Sequence, residues 1–389
     1  MLEQIISITG VSRRRWQPFA VVSPGGIPFS GYLCRDESEK LGMLAVTAVA
    51  HEERLEFIYA MPKIHYPYHK GPDGATRLSI PVPPNVVDAR FNLKLDGTAI
   101  IFYPLTGKDG RILEVIPRTR LQPVLQPSRW GDWNALLQDV LPDRAPVEEA
   151  VRTQKVTLVF ELWGYRNPHL VQYDTPLALT LHTAVRHKKP VSYRLLAGIA
   201  HRYQLDLIPT LEVARPDPAG LAEAYRRWQA QMEAKNRAAG EDVFVEEGAI
   251  LMLSTQDTAV YWKCKPPSIE EIHWTADANV SKTDVEHALF KMLENGYDFD
   301  NGRVQDVYRE LESDFDPERI EIAAELINRV YQEFLLELQK RAWLRHLVDE
   351  SGLDPHDAPA LMRYLSQHYP RKEMSWVYNT VQTLYGTGR

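Results

Sequence analysis

Three strand-like apolar runs in this chain carry charge where a buried strand should carry none. Residues 156–164 hold Glu161 among valine, leucine and phenylalanine. Residues 243–253 hold Glu246, Glu247 and Gly248, and residues 259–267 hold Lys263 and Lys265 on either side of Cys264. A buried charge without a partner is costly, so each of these needs a counter-charge or a task. Side chains alternate between the faces of a strand, which puts Lys263 and Lys265 on one face. Two parallel ammonium groups repel unless an anion lies between them, and a phosphate is the natural one. Taken alone, a charged edge strand would explain the lysines, and a structural ion pair would explain Glu161.

Residues 90–103 supply a fourth anomaly. They read as strand, tight turn, strand, with Lys94-Leu95-Asp96-Gly97 at the corner. Gly97 is expected to supply a backbone conformation closed to other residues, and residues 99–103 read as a buried strand. A lysine on a rigid element, at the edge of a core and beside a carboxylate, can become a nucleophile. An ordinary hairpin has the same local pattern, and Lys-x-Asp-Gly arises by chance in about one chain of this length in ten. Its weight comes from the charged residues that succeed it along the chain.

The 389 residues leave room for two or three domains. No apolar run reaches the length of a membrane span. Residues 1–6 lack the features of a signal peptide, and two cysteines are too few for a disulfide framework. A cytoplasmic location is expected, with no membrane partner. Charge is uneven: from residue 271 on, 13 Lys and Arg face 22 Asp and Glu, a net −9 within a chain of −7. Bulk electrostatic attraction to phosphates is therefore excluded for that part, and a nucleic acid would have to be held in a local groove.

Residues 1–60 read as a small β-rich unit, with apolar runs at 16–22, 31–34, 43–50 and 54–59 broken by turn-forming residues. Residues 61–70 mix Tyr66, Tyr68 and two histidines with lysines, which suits either base stacking or packing on a sheet. A strand near 111–116 leads to Arg118 and Arg120, whose spacing of two places both on one face, where they could hold a ribose or phosphate. Residues 217–238 read as an amphipathic helix. After about residue 268 the texture becomes helical, with candidates at 283–295, 302–311, 317–348, 358–368 and 371–385.

In chain order these features are Lys94-x-Asp96-Gly97, Arg118/Arg120, Phe160-Glu161, Glu247-Gly248 and Lys263-x-Lys265. The set resembles motifs I, Ia, III, IV and V of the covalent nucleotidyltransferase superfamily of ATP-dependent ligases and capping enzymes, over roughly residues 61–266. Segment 160–173 and the helices after motif V are most similar to RNA ligases. DNA ligases and capping enzymes carry an OB domain there. Ile250 departs from the usual valine of motif IV.

The resemblance implies an α+β fold. An antiparallel β-sheet nucleotidyltransferase (adenylation) domain would span 61–267, preceded by the small β-rich unit at 1–60 and followed by an all-helical C-terminal domain at 268–389. It implies an ATP-dependent RNA ligase that joins 5′-phosphate and 3′-hydroxyl RNA ends through lysyl-AMP and RNA-adenylate. Lys94 would carry the AMP, with Asp96 and Gly97 in the nucleotide pocket. Lys263 and Lys265 would clamp the α-phosphate, Glu161 with Arg118 or Arg120 would hold the ribose, and Glu247 with Asp96 would hold Mg²⁺ or Mn²⁺. Adenine would lie near residues 173–181. The helical domain would select RNA without helping to build the ATP pocket, with Arg341, Arg345, Arg363, Arg371 and Lys372 as contacts. A DNA ligase, a capping-type guanylyltransferase and a catalytically degenerate nucleic-acid-binding relative are the alternatives.

Overall fold

The computed structural model describes residues 1–36, 38–70, 76–125, 132–167, 171–239, 245–266, 280–311, 315, 320–321 and 323–385. Pro168, His169 and Leu170 of the motif III segment lie outside these residues, as does the expected boundary at 267/268.

The chain opens with helix α1 (Leu2–Thr9) and a four-stranded antiparallel meander, β1 (Trp16–Val22), β2 (Pro28–Cys34), β3 (Leu44–Val49) and β4 (Glu52–Ile58). The strands match the apolar runs of residues 16–59 closely; α1 is an addition. One face of the meander joins a core with Tyr103, Leu105, Ile116 and Leu121 from the next part of the chain. A short pair comes next, β5 (Tyr68–Lys70) and β6 (Thr76–Leu78).

The central part holds β7 (Asp88–Leu93), β8 (Gly97–Thr106), β9 (Ile112–Arg118), α2 (Trp133–Val140), α3 (Ala145–Gln154), β10 (Thr157–Trp163), β11 (Ala178–Arg186) and β12 (Lys189–Pro190). It continues with α4 (Tyr193–Tyr203), β13 (Thr210–Ala214), α5 (Pro218–Ala239), β14 (Ala249–Ser254) and β15 (Ala259–Cys264). Two antiparallel sheets result, in the orders β12-β11-β10-β8-β9 and β13-β7-β14-β15. The strands on either side of the Lys94 corner therefore do not form the expected hairpin. β7 pairs with β13 and β14, and β8 pairs with β9 and β10. The corner is a crossover between sheets, because each strand finds its ladder partners elsewhere.

Alternation along the strands gives each sheet a helix-covered face and a facing surface. Ile100, Phe102, Leu158, Phe160, Leu162 and Leu181 pack with residues of α2, α3 and α4. On the second sheet Phe91, Leu251 and Leu253 pack with Leu221, Tyr225 and Met232 of α5. The opposite faces meet: Ile101, Val159 and Val185 lie against Tyr261, whose hydroxyl is 2.7 Å from that of Thr183. Glu161 lies two residues beyond Val159 on this facing surface.

The last part is helical: α6 (Lys282–Glu294), α7 (Val304–Leu311), α8 (Ala324–Ser351), α9 (Ala358–Leu365) and α10 (Met374–Tyr385). α6 starts at a capping box, in which Ser281 and Asp284 satisfy each other's backbone N–H groups. Its apolar stripe, Val285, Ala288, Leu289, Met292 and Leu293, joins Phe299, Val307, Ile327 and Phe334 in one core. A second core links Leu344 and Leu347 to Leu361, Leu365 and Val377. Among the described residues no helix is long and apolar enough to cross a membrane.

Candidate active site

Lys94 sits where the chain passes between the two sheets. Its backbone N–H donates to Gly248 O at 3.0 Å, extending the β7–β14 ladder and pinning the corner beside the Glu247-Gly248 turn. Two glycines make this geometry possible. A Cβ on Gly97 would lie 2.3 Å from Leu162 O, so it is close approach to β10 that demands glycine there. The φ of Gly97 is not positive, which corrects the expectation of a special turn conformation. Gly248 has φ of 152°, and a Cβ there would lie 2.5 Å from Cys264 O.

The turn at Gly248 delivers Glu247 into the cleft, where it is 4% exposed. One carboxylate oxygen accepts from Lys94 Nζ and the other lies 3.0 Å from Lys265 Nζ. Burial by itself would raise the Glu247 carboxyl, but Lys94 and Lys265, with a smaller contribution from His287, outweigh it and hold it well below the carboxylate range. Three of the expected residues thus converge in one ion cluster from positions far apart in sequence.

The described contacts of Lys263 and Lys265 differ. Lys265 is 6% exposed and engages Glu247, whereas the Lys263 ammonium lies 5.4 Å from the centroid of the Tyr66 ring. Tyr66 is brought there by residues 63–66, which run beside β15: Lys263 N donates to His65 O at 2.9 Å. Tyr68 turns the other way, edge-on to Tyr225. The aromatic segment therefore divides between the cleft and a core.

The two arginines also part company. Arg118 is fully buried, its Nη1 donating to Arg120 O at 2.8 Å and its Nη2 to Gly42 O at 2.7 Å. Burial brings its guanidinium down to about 10. The expectation that both arginines share a face fails because β9 ends at Arg118 and the next residues turn; Arg118 is a brace for backbone carbonyls. Arg120 instead lies within electrostatic reach of His182.

His182 is the residue that sequence reasoning passed over. It stands on β11 with Nε2 3.8 Å from Glu161 Oε2, and burial first, then Arg120 and Lys94, brings its imidazole down to about 3. An imidazole in the apolar run 177–185 is the same signal that marked Glu161. Asp96 is 6% exposed, and its Oδ2 accepts from Val171 N at 2.8 Å while its own N–H donates to Tyr173 Oη at 2.7 Å. The Tyr173 and Trp163 rings stand 4.9 Å apart. Asp96 thus ties the segment after β10 to the corner.

No set of three or more His, Cys, Asp or Glu among the described residues could by itself hold a metal ion. Mg²⁺ is commonly bound by one or two carboxylates together with substrate phosphates. Glu247 fits that demand, and Asp96, whose Oδ2 accepts from Val171 N, stands on the same corner as Lys94. The cluster as a whole brings together a primary amine, a second cation and one carboxylate, a set suited to an anionic group, with Glu161, His182 and Arg120 nearby.

The molecule resembles solved ATP-dependent ligases. Two structures of an archaeal ATP-dependent RNA ligase, forms 1 and 2, superpose with TM-scores of 0.47 and 0.46 at 16% identity, covering 94% of this chain and 89% of theirs. A candidate ATP-dependent DNA ligase from Aquifex aeolicus gives 0.41 at 12% identity, covering 95% and 88%. No family model and no curated protein sequence matches the chain.

Among the other expected contacts, Arg341 lies along α8 with Nε 2.8 Å from Glu337 Oε1, and it is largely withdrawn from solvent. Burial lowers both Arg341 and Arg345 from the ordinary guanidinium value.

Proposed function

We propose that this protein is an ATP-dependent RNA ligase that joins 5′-phosphate and 3′-hydroxyl ends through a lysyl-AMP on Lys94. The observation that carries the reading is the buried meeting of Lys94, Glu247 and Lys265 between two sheets. Three charged groups at that depth have little structural economy, since replacing a buried ion cluster by apolar residues is often neutral or stabilising. They make sense as a site that handles phosphate.

In the first step the Lys94 amine, once deprotonated, attacks the α-phosphorus of ATP. An N–P bond forms, the P–O bond to pyrophosphate breaks, and pyrophosphate leaves. The nucleotide phosphates take over from Glu247 as the counter-charge of Lys265, which then neutralises charge developing on the α-phosphate. Glu247 would be the protein donor for Mg²⁺, and the ion would supply further neutralisation of phosphate charge. Glu161 and Arg120 take the ribose, and His182 is a neutral neighbour beside them. The AMP next passes to a 5′-phosphate, and attack by a 3′-hydroxyl on that phosphate expels AMP and closes the strand.

The choice of RNA rests on the similarity of segment 160–173 to RNA ligases and on the helical part after β15. Incubation with α-labelled ATP and Mg²⁺, then with nicked or single-stranded RNA and matched DNA, tests it. Label should remain on the denatured protein and then move to RNA ends. Label from GTP only would indicate a capping-type enzyme, equal sealing of DNA would remove the RNA assignment, and no label at all would leave a binding protein.

A further inference from the structure

The polar face of α6 packs on the sheet part beside the Lys94 corner, although it belongs to the helical part expected to stand clear of the nucleotide. At 3.6 residues per turn, His287 and Glu294 fall about 20° apart and roughly opposite the apolar stripe of the helix. That stripe is committed to the helical core, so the His287–Glu294 face is turned outward from it. Two contacts show where it goes. Thr98 Oγ1 donates to Glu294 Oε1 at 3.2 Å, and Gln122 Nε2 donates to Asn295 O at 3.2 Å. Thr98 is the second residue of β8, just after the Lys94 corner. Two helical turns earlier, about 10 Å along the axis, the same face carries His287 into the field of Lys265, Glu247 and Lys94.

Glu294 supports the view that this placement is built in. A carboxylate in the last turn of a helix opposes the macrodipole. The hydrogen bond from Thr98 gives it a reason to be there. Beside two lysines, the imidazole of His287 adds a hydrogen-bond donor in either protonation state.

We propose that α6 forms the outer wall of the nucleotide site and that His287 donates a hydrogen bond to the phosphates of bound ATP, so the helical part takes part in the first, nucleotide-consuming step. This rests on the lysyl-AMP reading. It also separates the two steps: once pyrophosphate has left, His287 has no phosphate chain to contact, and sealing proceeds without it.

The test uses the full chain with His287→Ala, His287→Gln and, on the opposite side of α6, Lys282→Ala, whose ammonium pairs with Glu286 and Glu333. Lysyl-AMP formation is followed against ATP concentration, and sealing of chemically pre-adenylated RNA is followed separately. His287→Ala should lower the efficiency of lysyl-AMP formation about ten-fold or more, as loss of a phosphate donor does. Sealing of pre-adenylated RNA should stay within about two-fold of the parent. His287→Gln, which keeps an N–H donor, should recover part of the loss, and Lys282→Ala should match the parent in both assays. Unchanged adenylation in His287→Ala, or an equal fall in both assays, overturns the proposal. Absence of lysyl-AMP in the parent chain is a different result and refutes the ligase reading itself.

Discussion

The cleft between the sheets and the exposed faces of the C-terminal helices hold charge in opposite ways. In the cleft, Lys94 and Glu247 pair across 153 positions of sequence, both largely withdrawn from solvent. In the helices, Lys282–Glu286, Arg309–Asp306 and His346–Glu350 pair within one turn, on exposed faces. Local exposed pairs contribute about 0.3–0.5 kcal/mol each and form wherever a helix has polar neighbours. Long-range buried pairs exist only because the fold holds them, and they fall apart with it. A charge cluster of the second kind is therefore evidence of a site, and one of the first kind is not. α6 is the exception that joins the regions, with solvated pairs on one side and His287 with Glu294 on the other.

The largest effect expected from breaking this contrast is on rate. Lys265→Ala should slow lysyl-AMP formation by two or more orders of magnitude, about 3 kcal/mol, in single-turnover labelling. Lys263→Ala, which removes an ammonium lying over Tyr66, should cost less. Equal losses would mean that the lysines regroup on the nucleotide.

Stability comes next. Gly97→Ala would push a Cβ to 2.3 Å from Leu162 O, and the corner and β10 would have to separate. A loss of about 2–3 kcal/mol in denaturant unfolding is expected, in the range for overpacking. A loss below about 0.5 kcal/mol would show that the two sheets are not locked together at that point.

Acid should act through the cleft rather than through the helices' surface pairs. Burial, then Arg120 and Lys94, brings His182 down from its ordinary 6.5 to about 3 in the folded chain. The unfolded chain thus takes up this proton first, and stability present at pH 7 is lost as pH falls from about 6.5 to about 3. Glu247, depressed from its ordinary value, adds a further loss only below about pH 4.5. In His182→Gln the thermal midpoint should fall less between pH 7 and pH 5 than in the parent. An unchanged slope would remove His182 from the account. Lys282→Ala, at the bottom of the scale, should shift stability by no more than about 0.5 kcal/mol.

Much of this was legible in the chain. Periodicity placed the first meander and the helices, because an apolar alternation or stripe is a local property. Glu161, Glu247 and Lys265 stood out because charge in an apolar run is visible without a partner. The partners themselves were not legible: that Lys265 meets Glu247 while Lys263 meets Tyr66 depends on where the chain leaves β15. Arg118 misled for the same reason, since the end of β9 decides its direction. The Lys94 corner looked like a hairpin because a hairpin and a crossover between sheets share a sequence pattern and differ only in ladder partners. His287 was invisible, its neighbours being set by the docking of α6 on the sheets.

The central claim is that Lys94 is a nucleophile, not merely the partner of Glu247. Intact-mass measurement of the denatured protein after incubation with ATP and Mg²⁺ tests it directly. The parent chain should gain one adenylate and Lys94→Ala none. No gain in the parent, or an adenylate that persists in Lys94→Ala, would contradict the account.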